Sequence, residues 1–175
     1  MRDGVMERAS RIRLLVLDVD GVLTDGGLYY GAEGMVMKRF NVQDGFGIKL
    51  AQSVGVEVGV ITGLDQPPVA SRIRELGITH YYPGNHDKLP HFLEICEKAG
   101  VETSEAAFMG DDWIDLAVMR EAGLALSVPN AMPEVLEAAH WVSVRPGGHG
   151  AVREAVALIL RARGLEDSTL KQWAG

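Results

Sequence analysis

Short uninterrupted apolar runs, rich in branched side chains, recur along this chain of 175 residues at 12–17, 56–61, 106–109, 124–128 and 141–144. Runs of this length and continuity suit strands buried on both faces of a parallel sheet. Between them lie segments with helical spacing, at 45–53, 69–76, 88–99, 113–121, 133–138 and 151–163, several closed by Gly55, Gly77, Gly100, Gly123 or Gly164. Strand followed by helix on a repeating cycle predicts an α/β architecture, a doubly wound, Rossmann-like parallel sheet. The cycle breaks once. Residues 28–30 and 35–40, around Gly31-Ala32-Glu33-Gly34, read as a β-hairpin protruding directly after the first strand. No internal repeat or linker divides the chain. Residues 1–175 are therefore expected to form one domain with a core of about 11–163, leaving 1–10 and 166–175 as tails in which Leu170 and Trp173 are candidates to dock.

Composition limits what such a domain can do. Lys plus Arg number 17 against 24 Asp plus Glu, a formal net charge of -7, which disfavours a surface that neutralises nucleic-acid phosphates. The single cysteine, Cys96, excludes an internal disulfide and a cysteine-based metal cage, and fits a reducing, cytoplasmic compartment. No apolar run approaches the roughly 20 residues needed to cross a bilayer, so no membrane partner is expected.

In an open α/β sheet, ligands bind outside the carboxyl ends of the strands. Those positions hold acids here. Asp18-Val19-Asp20-Gly21-Val22-Leu23-Thr24 follows the first run, Thr62-Gly63 the second, and Gly110-Asp111-Asp112-Trp113-Ile114-Asp115 the third, while Lys88 opens an intervening helix. Asp18 and Asp20, two apart in extended chain, would project to the same side and repel unless a cation sat between them. Hard oxygen ligands with no cysteine or histidine beside them select Mg²⁺ over zinc. Carboxylates, one hydroxyl and one lysine suggest phosphoryl transfer, because a phosphate needs cations and donors around its equatorial oxygens. A Walker loop is absent from the sequence, which argues against a nucleotide triphosphatase.

These motifs, with Ile61-Thr62-Gly63 and Asp87-Lys88, resemble in order and interval the four motifs of haloacid-dehalogenase-type phosphatases. Within that superfamily the chain is most similar to the capless 3-deoxy-D-manno-octulosonate 8-phosphate phosphatases, through Phe40 to Ile48, Tyr82-Pro83-Gly84 and Gly147-Gly148-His149-Gly150. The resemblance implies that Asp18 is the nucleophile and that Asp20 protonates the departing sugar oxygen and then activates water. It implies Mg²⁺ held by Asp18, the Asp20 main-chain carbonyl and Asp111, with Asp112 and Asp115 orienting the ligands. Thr62, Gly63 and Lys88 would meet the phosphoryl group.

For the sugar acid, the resemblance points to Asn41, Val42, Gln43, Asp44, Gly45, Lys49 and Arg72, with Lys38 or Arg39 as further cations. It also implies a homotetramer built through the hairpin, one subunit roofing the next site. Leu64 stands where the octulosonate group commonly has an arginine, and His149 replaces the arginine of a Gly-Gly-Arg-Gly loop. Two alternatives stay open at this point, a nine-carbon keto-sugar acid 9-phosphate as substrate and a non-catalytic oligomerisation module.

Overall fold

A computed structural model describes residues 4–174. Six strands form one all-parallel sheet: β1 (Leu14–Leu17), β4 (Glu57–Ile61), β5 (His80–Tyr82), β6 (Ala106–Gly110), β7 (Leu124–Ser127) and β8 (Trp141–Val142), in the order β5-β4-β1-β6-β7-β8. The alternation of strand side chains divides the core in two. Leu15, Leu17, Val58, Val60, Met109 and Leu126 face one side, against α1 (Val5–Ser10), α2 (Val42–Ser53), α3 (Pro67–Glu75) and α7 (Ala151–Ala162). Leu14, Val16, Ile61, Phe108 and Ala125 face the other, against α4 (Leu89–Ala99), α5 (Leu116–Glu121) and α6 (Pro133–Ala138). Every residue of β1 is buried, as expected for a central parallel strand covered by helices on both faces.

The hairpin is present as β2 (Tyr29–Gly31) and β3 (Gly34–Met37), paired antiparallel and separate from the main sheet. Local chemistry moves several boundaries from their sequence-based positions. α2 begins at Val42 rather than 45, because the Asn41 side chain caps it by accepting from the Gln43 amide at 2.7 Å. The helix expected over 113–121 starts as a single 3₁₀ turn, Trp113–Asp115, before α5. β5 was not anticipated: it is a three-residue, half-buried edge strand, too short to carry a period.

The expected tails are also structured. α1 buries Val5 and Ala9 against the core. α8 (Glu166–Ala174) folds back so that Trp173 meets Phe46 edge-on, ring centroids 5.0 Å apart, while Leu170 stays exposed. Residues 1–3 and 175 of those segments lie outside the described residues.

The topology chooses where a site can form. From β1 the chain builds β4 and β5 on one side, then crosses to build β6, β7 and β8 on the other, so the direction of winding reverses between β1 and β6. Leu17 is in register with Val60 and with Met109, which brings the residues just beyond β1, β4 and β6 to one edge.

Candidate active site

Asp18 follows β1, its amide donating to the Met109 carbonyl at 3.0 Å. Its carboxylate is almost fully covered, and Oδ1 accepts from Lys88 Nζ at 2.7 Å. Lys88 stands at the entrance to α4, 1% exposed, and donates equally closely to Asp115 Oδ1, at 2.7 Å. A lysine this deeply buried keeps its charge only because two carboxylates surround it, and the pair hold its pKa above the ordinary lysine value against the opposing effect of burial. Asp115 is saturated: Oδ2 accepts from the amides of Asp111 and Asp112 at 2.9 and 3.1 Å. It therefore pins the start of the Asp111–Asp115 turn and orients Lys88 at the same time.

Asp111 differs from its neighbours. Its Oδ1 is buried with no hydrogen-bond partner. Burial, reinforced by the charges of Asp18, Asp115 and Asp112, raises its pKa to about 8, and burial likewise raises Asp18 to about 6 although Lys88 opposes it. Oxygens of Asp18, Asp111 and Asp115 lie within 4.8 Å of one another. A buried carboxylate oxygen without a donor, inside a cluster of hard anionic ligands, is what a divalent cation such as Mg²⁺ satisfies. Gly21 makes room for this arrangement: it adopts φ +87°, and a Cβ there would lie 2.0 Å from Asp111 Oδ2. Asp112 is exposed and caps the 3₁₀ turn: its carboxylate accepts from Trp113 N and from the Asp115 amide, while its own amide donates to Asp115 Oδ2.

Asp20 sits in the irregular turn Val19–Leu23 with its side chain 28% exposed. Lys38, directly after β3, reaches it from the hairpin: Nζ donates to both carboxylate oxygens, at 2.6 Å for Oδ2. The loop 146–150 closes round the same turn. Asn130 bridges it, donating to the Gly21 carbonyl at 3.0 Å and accepting from Gly147 N at 2.8 Å, while Gly148 N donates to the Val22 carbonyl at 2.9 Å. His149 lies in this loop beside Arg39, and Arg39 also contacts the Gly148 carbonyl and Asp25. Thr62 and Gly63 follow β4, the neighbour of β1; Thr62 is fully buried and anchored through its amide to the Tyr82 carbonyl at 3.1 Å.

The residues expected to meet a sugar acid are placed unevenly. Asn41 and Asp44 spend their side chains on the fold. Asn41 caps α2 and donates to the Gly148 carbonyl, while Asp44, buried, accepts from Gly150 N at 3.1 Å and Arg153 N at 2.9 Å and so caps α7 from outside. Burial raises the pKa of Asp44 against these amide bonds. Val42 is 79% exposed and Gln43 holds Arg145 at 2.7 Å. Arg72 packs its guanidinium over Gly45, where a Cβ would lie 2.1 Å away, and pairs with Glu75. Lys49 is not brought to this edge: its ammonium donates at 2.7 Å to the Leu76 carbonyl, at the end of α3 that leads into the amino-terminal side of the sheet. A lysine two turns into α2 cannot reach back past the helix start.

The haloacid dehalogenase-like hydrolase family matches residues 47–153, more than half of the chain. A 3-deoxy-D-manno-octulosonate 8-phosphate phosphatase of Escherichia coli (strain B / BL21-DE3) is 45% identical over 168 residues, covering 96% of this chain and 89% of its own. The chain belongs to the haloacid dehalogenase-like hydrolases. Among solved relatives, the Moraxella catarrhalis 3-deoxy-D-manno-octulosonate 8-phosphate phosphatase, crystallised with magnesium, phosphate and the sugar acid, superposes with a TM-score of 0.94 at 38% identity, covering 98% of each chain. The Yersinia pestis enzyme of the same name gives 0.92 at 42%, covering 94% of this chain and 89% of that one.

Within this hydrolase fold, two residues at the site carry no motif signal in the sequence. The sequence offers Lys38 as a further cation for the sugar acid, whereas in the structure it pairs with Asp20, and nothing in the sequence singles out Asn130, after β7. A basic residue ending a strand that is otherwise apolar, Met35-Val36-Met37-Lys38, was the available hint for the first.

Proposed function

We propose that this protein is a Mg²⁺-dependent phosphomonoesterase whose substrate is 3-deoxy-D-manno-octulosonate 8-phosphate, released as the free sugar acid and phosphate. The observation that carries the reading is Asp18, buried at the winding reversal of the sheet, paired with Lys88 and beside the unpartnered oxygen of Asp111. An Asp18 carboxylate oxygen attacks phosphorus as the bond from phosphorus to the sugar oxygen breaks, and Asp20 gives that oxygen its proton. Asp20 then takes a proton from water as the water attacks the aspartyl phosphate, which frees phosphate and restores Asp18. Lys88 offsets negative charge on Asp18 and the phosphoryl group. Thr62 and the Gly63 amide donate to its oxygens. Bound by Asp18, Asp111 and the Asp20 carbonyl, Mg²⁺ supplies further positive charge to the phosphate.

The 45% identity to a 3-deoxy-D-manno-octulosonate 8-phosphate phosphatase supports the substrate, and the start of α2, with Val42, Gln43 and the Arg72 head over Gly45, is the proposed seat of the sugar acid. Assembly through the hairpin is part of the same reading: Leu28, Tyr30, Val36 and Met37 are 45 to 67% exposed, an apolar ribbon that a second copy would cover. No described helix is long and apolar enough to cross a membrane, and the reading places the enzyme in the cytoplasm, in lipopolysaccharide precursor synthesis.

The test is a comparison of kcat/KM across phosphorylated sugar acids and neutral hexose phosphates, with and without Mg²⁺. A marked preference for the octulosonate ester, dependent on Mg²⁺ and abolished in a folded Asp18→Asn variant, is the expected result. Preference for a neutral hexose phosphate overturns the substrate, and ordinary turnover by Asp18→Asn overturns the mechanism. Light scattering that finds a monomer at working concentration overturns the assembly.

A further inference from the structure

Lys38 has no solvent-exposed side-chain surface, and among the described residues its ammonium contacts one acidic group, Asp20, through both carboxylate oxygens. Burying a long, flexible lysine costs side-chain entropy and hydration, and a single counter-ion must offset both. Asp20 in turn has little else to hold it. It lies in a turn with irregular backbone, and its other side-chain neighbour is the Thr24 hydroxyl, at 3.5 Å. The last torsion of an aspartate is broad and nearly twofold, so a carboxylate held at one point swings freely. A contact to both oxygens removes that freedom.

We propose that Lys38 is the positioning residue of the proton-transfer step: it fixes the plane of the Asp20 carboxylate at the mouth of the site, and it couples that plane to the hairpin from which it projects. The proposal rests on the reading of Asp20 as acid and base given above. In both half-reactions the proton passes between Asp20 and the reacting oxygen, and Lys38 neither gains nor loses one. An error of about 1 Å in the placement of such a group costs about a hundredfold in rate. β3 ends one residue before Lys38, so the exposed ribbon and the acid of the active site are joined by one side chain. The device is visible only in the folded chain, because Lys38 and Asp20 are separated by the whole hairpin.

The experiment compares Lys38→Met, unbranched like lysine but one atom shorter and without the charge, with wild type and Asp20→Asn in the Mg²⁺-loaded protein, using 4-nitrophenyl phosphate and an alkyl phosphate ester. Nitrophenolate departs without needing a proton, whereas the later attack of water still needs Asp20. Lys38→Met is therefore expected to release a burst of about one nitrophenolate per site and then turn over slowly, as Asp20→Asn does. With the alkyl ester, kcat falls about a hundredfold while KM stays within about twofold. A purely structural role would lower the amount of active protein and the melting temperature without creating a burst. Wild-type kcat on both substrates, or a loss with no burst, overturns the positioning role when Asp20→Asn bursts. Rapid steady turnover by Asp20→Asn overturns the reading of Asp20 instead. Should Lys38→Met not fold, Lys38→Gln, which retains one donor contact, is read by the same criteria.

Discussion

The ammonium of Lys88 stands 2.7 Å from Asp18 Oδ1, and the side chains are 0 and 7% exposed. A pair this well covered is expensive to break on one side, since the partner charge stays behind without compensation. Replacing Lys88 by Met leaves Asp18, Asp111 and Asp115 facing one another, and is expected to destabilise the metal-free protein by about 3–5 kcal/mol. Urea unfolding measures it. A loss of less than about 1 kcal/mol would mean that the pair behaves as a solvated surface contact.

Asp115 makes a different prediction, because its two oxygens do different work. Asp115→Asn can present only one oxygen, so either the Asp111 and Asp112 amides or Lys88 must face an amide NH₂. Mg²⁺ affinity, measured by calorimetric titration, is expected to fall about 10- to 100-fold while the melting temperature of the metal-loaded protein drops only modestly. Unchanged affinity would remove Asp115 from the support of the metal site.

The carboxylate cluster also sets how the metal-free protein responds to pH. Burial raises Asp18 to about 6 and Asp111 to about 8, from the ordinary aspartate value of 3.8. Between these limits the folded chain binds more protons than the unfolded one, so stability falls as pH rises. Scanning calorimetry without metal should accordingly find the melting temperature dropping from pH 5 towards pH 8. The stabilisation gained on adding Mg²⁺ should grow over the same interval, because binding displaces those protons. A metal-free melting temperature that climbs with pH through this window contradicts the assignment.

Gly147 tests the clamp that holds the Asp20 turn. A Cβ on Gly147 would lie 1.7 Å from the Gly21 carbonyl oxygen, a backbone atom that cannot step aside. Gly147→Ala must therefore push the 146–150 loop off the turn and strain the Asn130 bridge, with an expected cost of about 1–3 kcal/mol. Chemical denaturation gives the cost, and kcat should fall with it because the displaced turn carries Asp20. Wild-type stability would show that the loop moves freely.

Much of this molecule is written locally in its sequence. Continuous apolar runs identify β1, β4, β6 and β7 because a central parallel strand must be hydrophobic on both faces. Asp18, Thr62 and Asp111 are legible because a parallel sheet delivers the residue after each strand to one edge, and Lys88 because it opens a helix between the second and third of these motifs. What depends on partners far along the chain was not legible. β5 exists because β4 offers it hydrogen bonds, and α1 and α8 are helices because the core and Phe46 receive their apolar residues. Lys49 and Asp44 belong to the segment expected to bind the sugar acid, yet one holds the end of α3 and the other caps α7. The sequence offers Lys38 only as a hairpin cation for the sugar acid. Whether a charge is solvated or buried depends on what packs over it, and only the folded hairpin brings that lysine to Asp20.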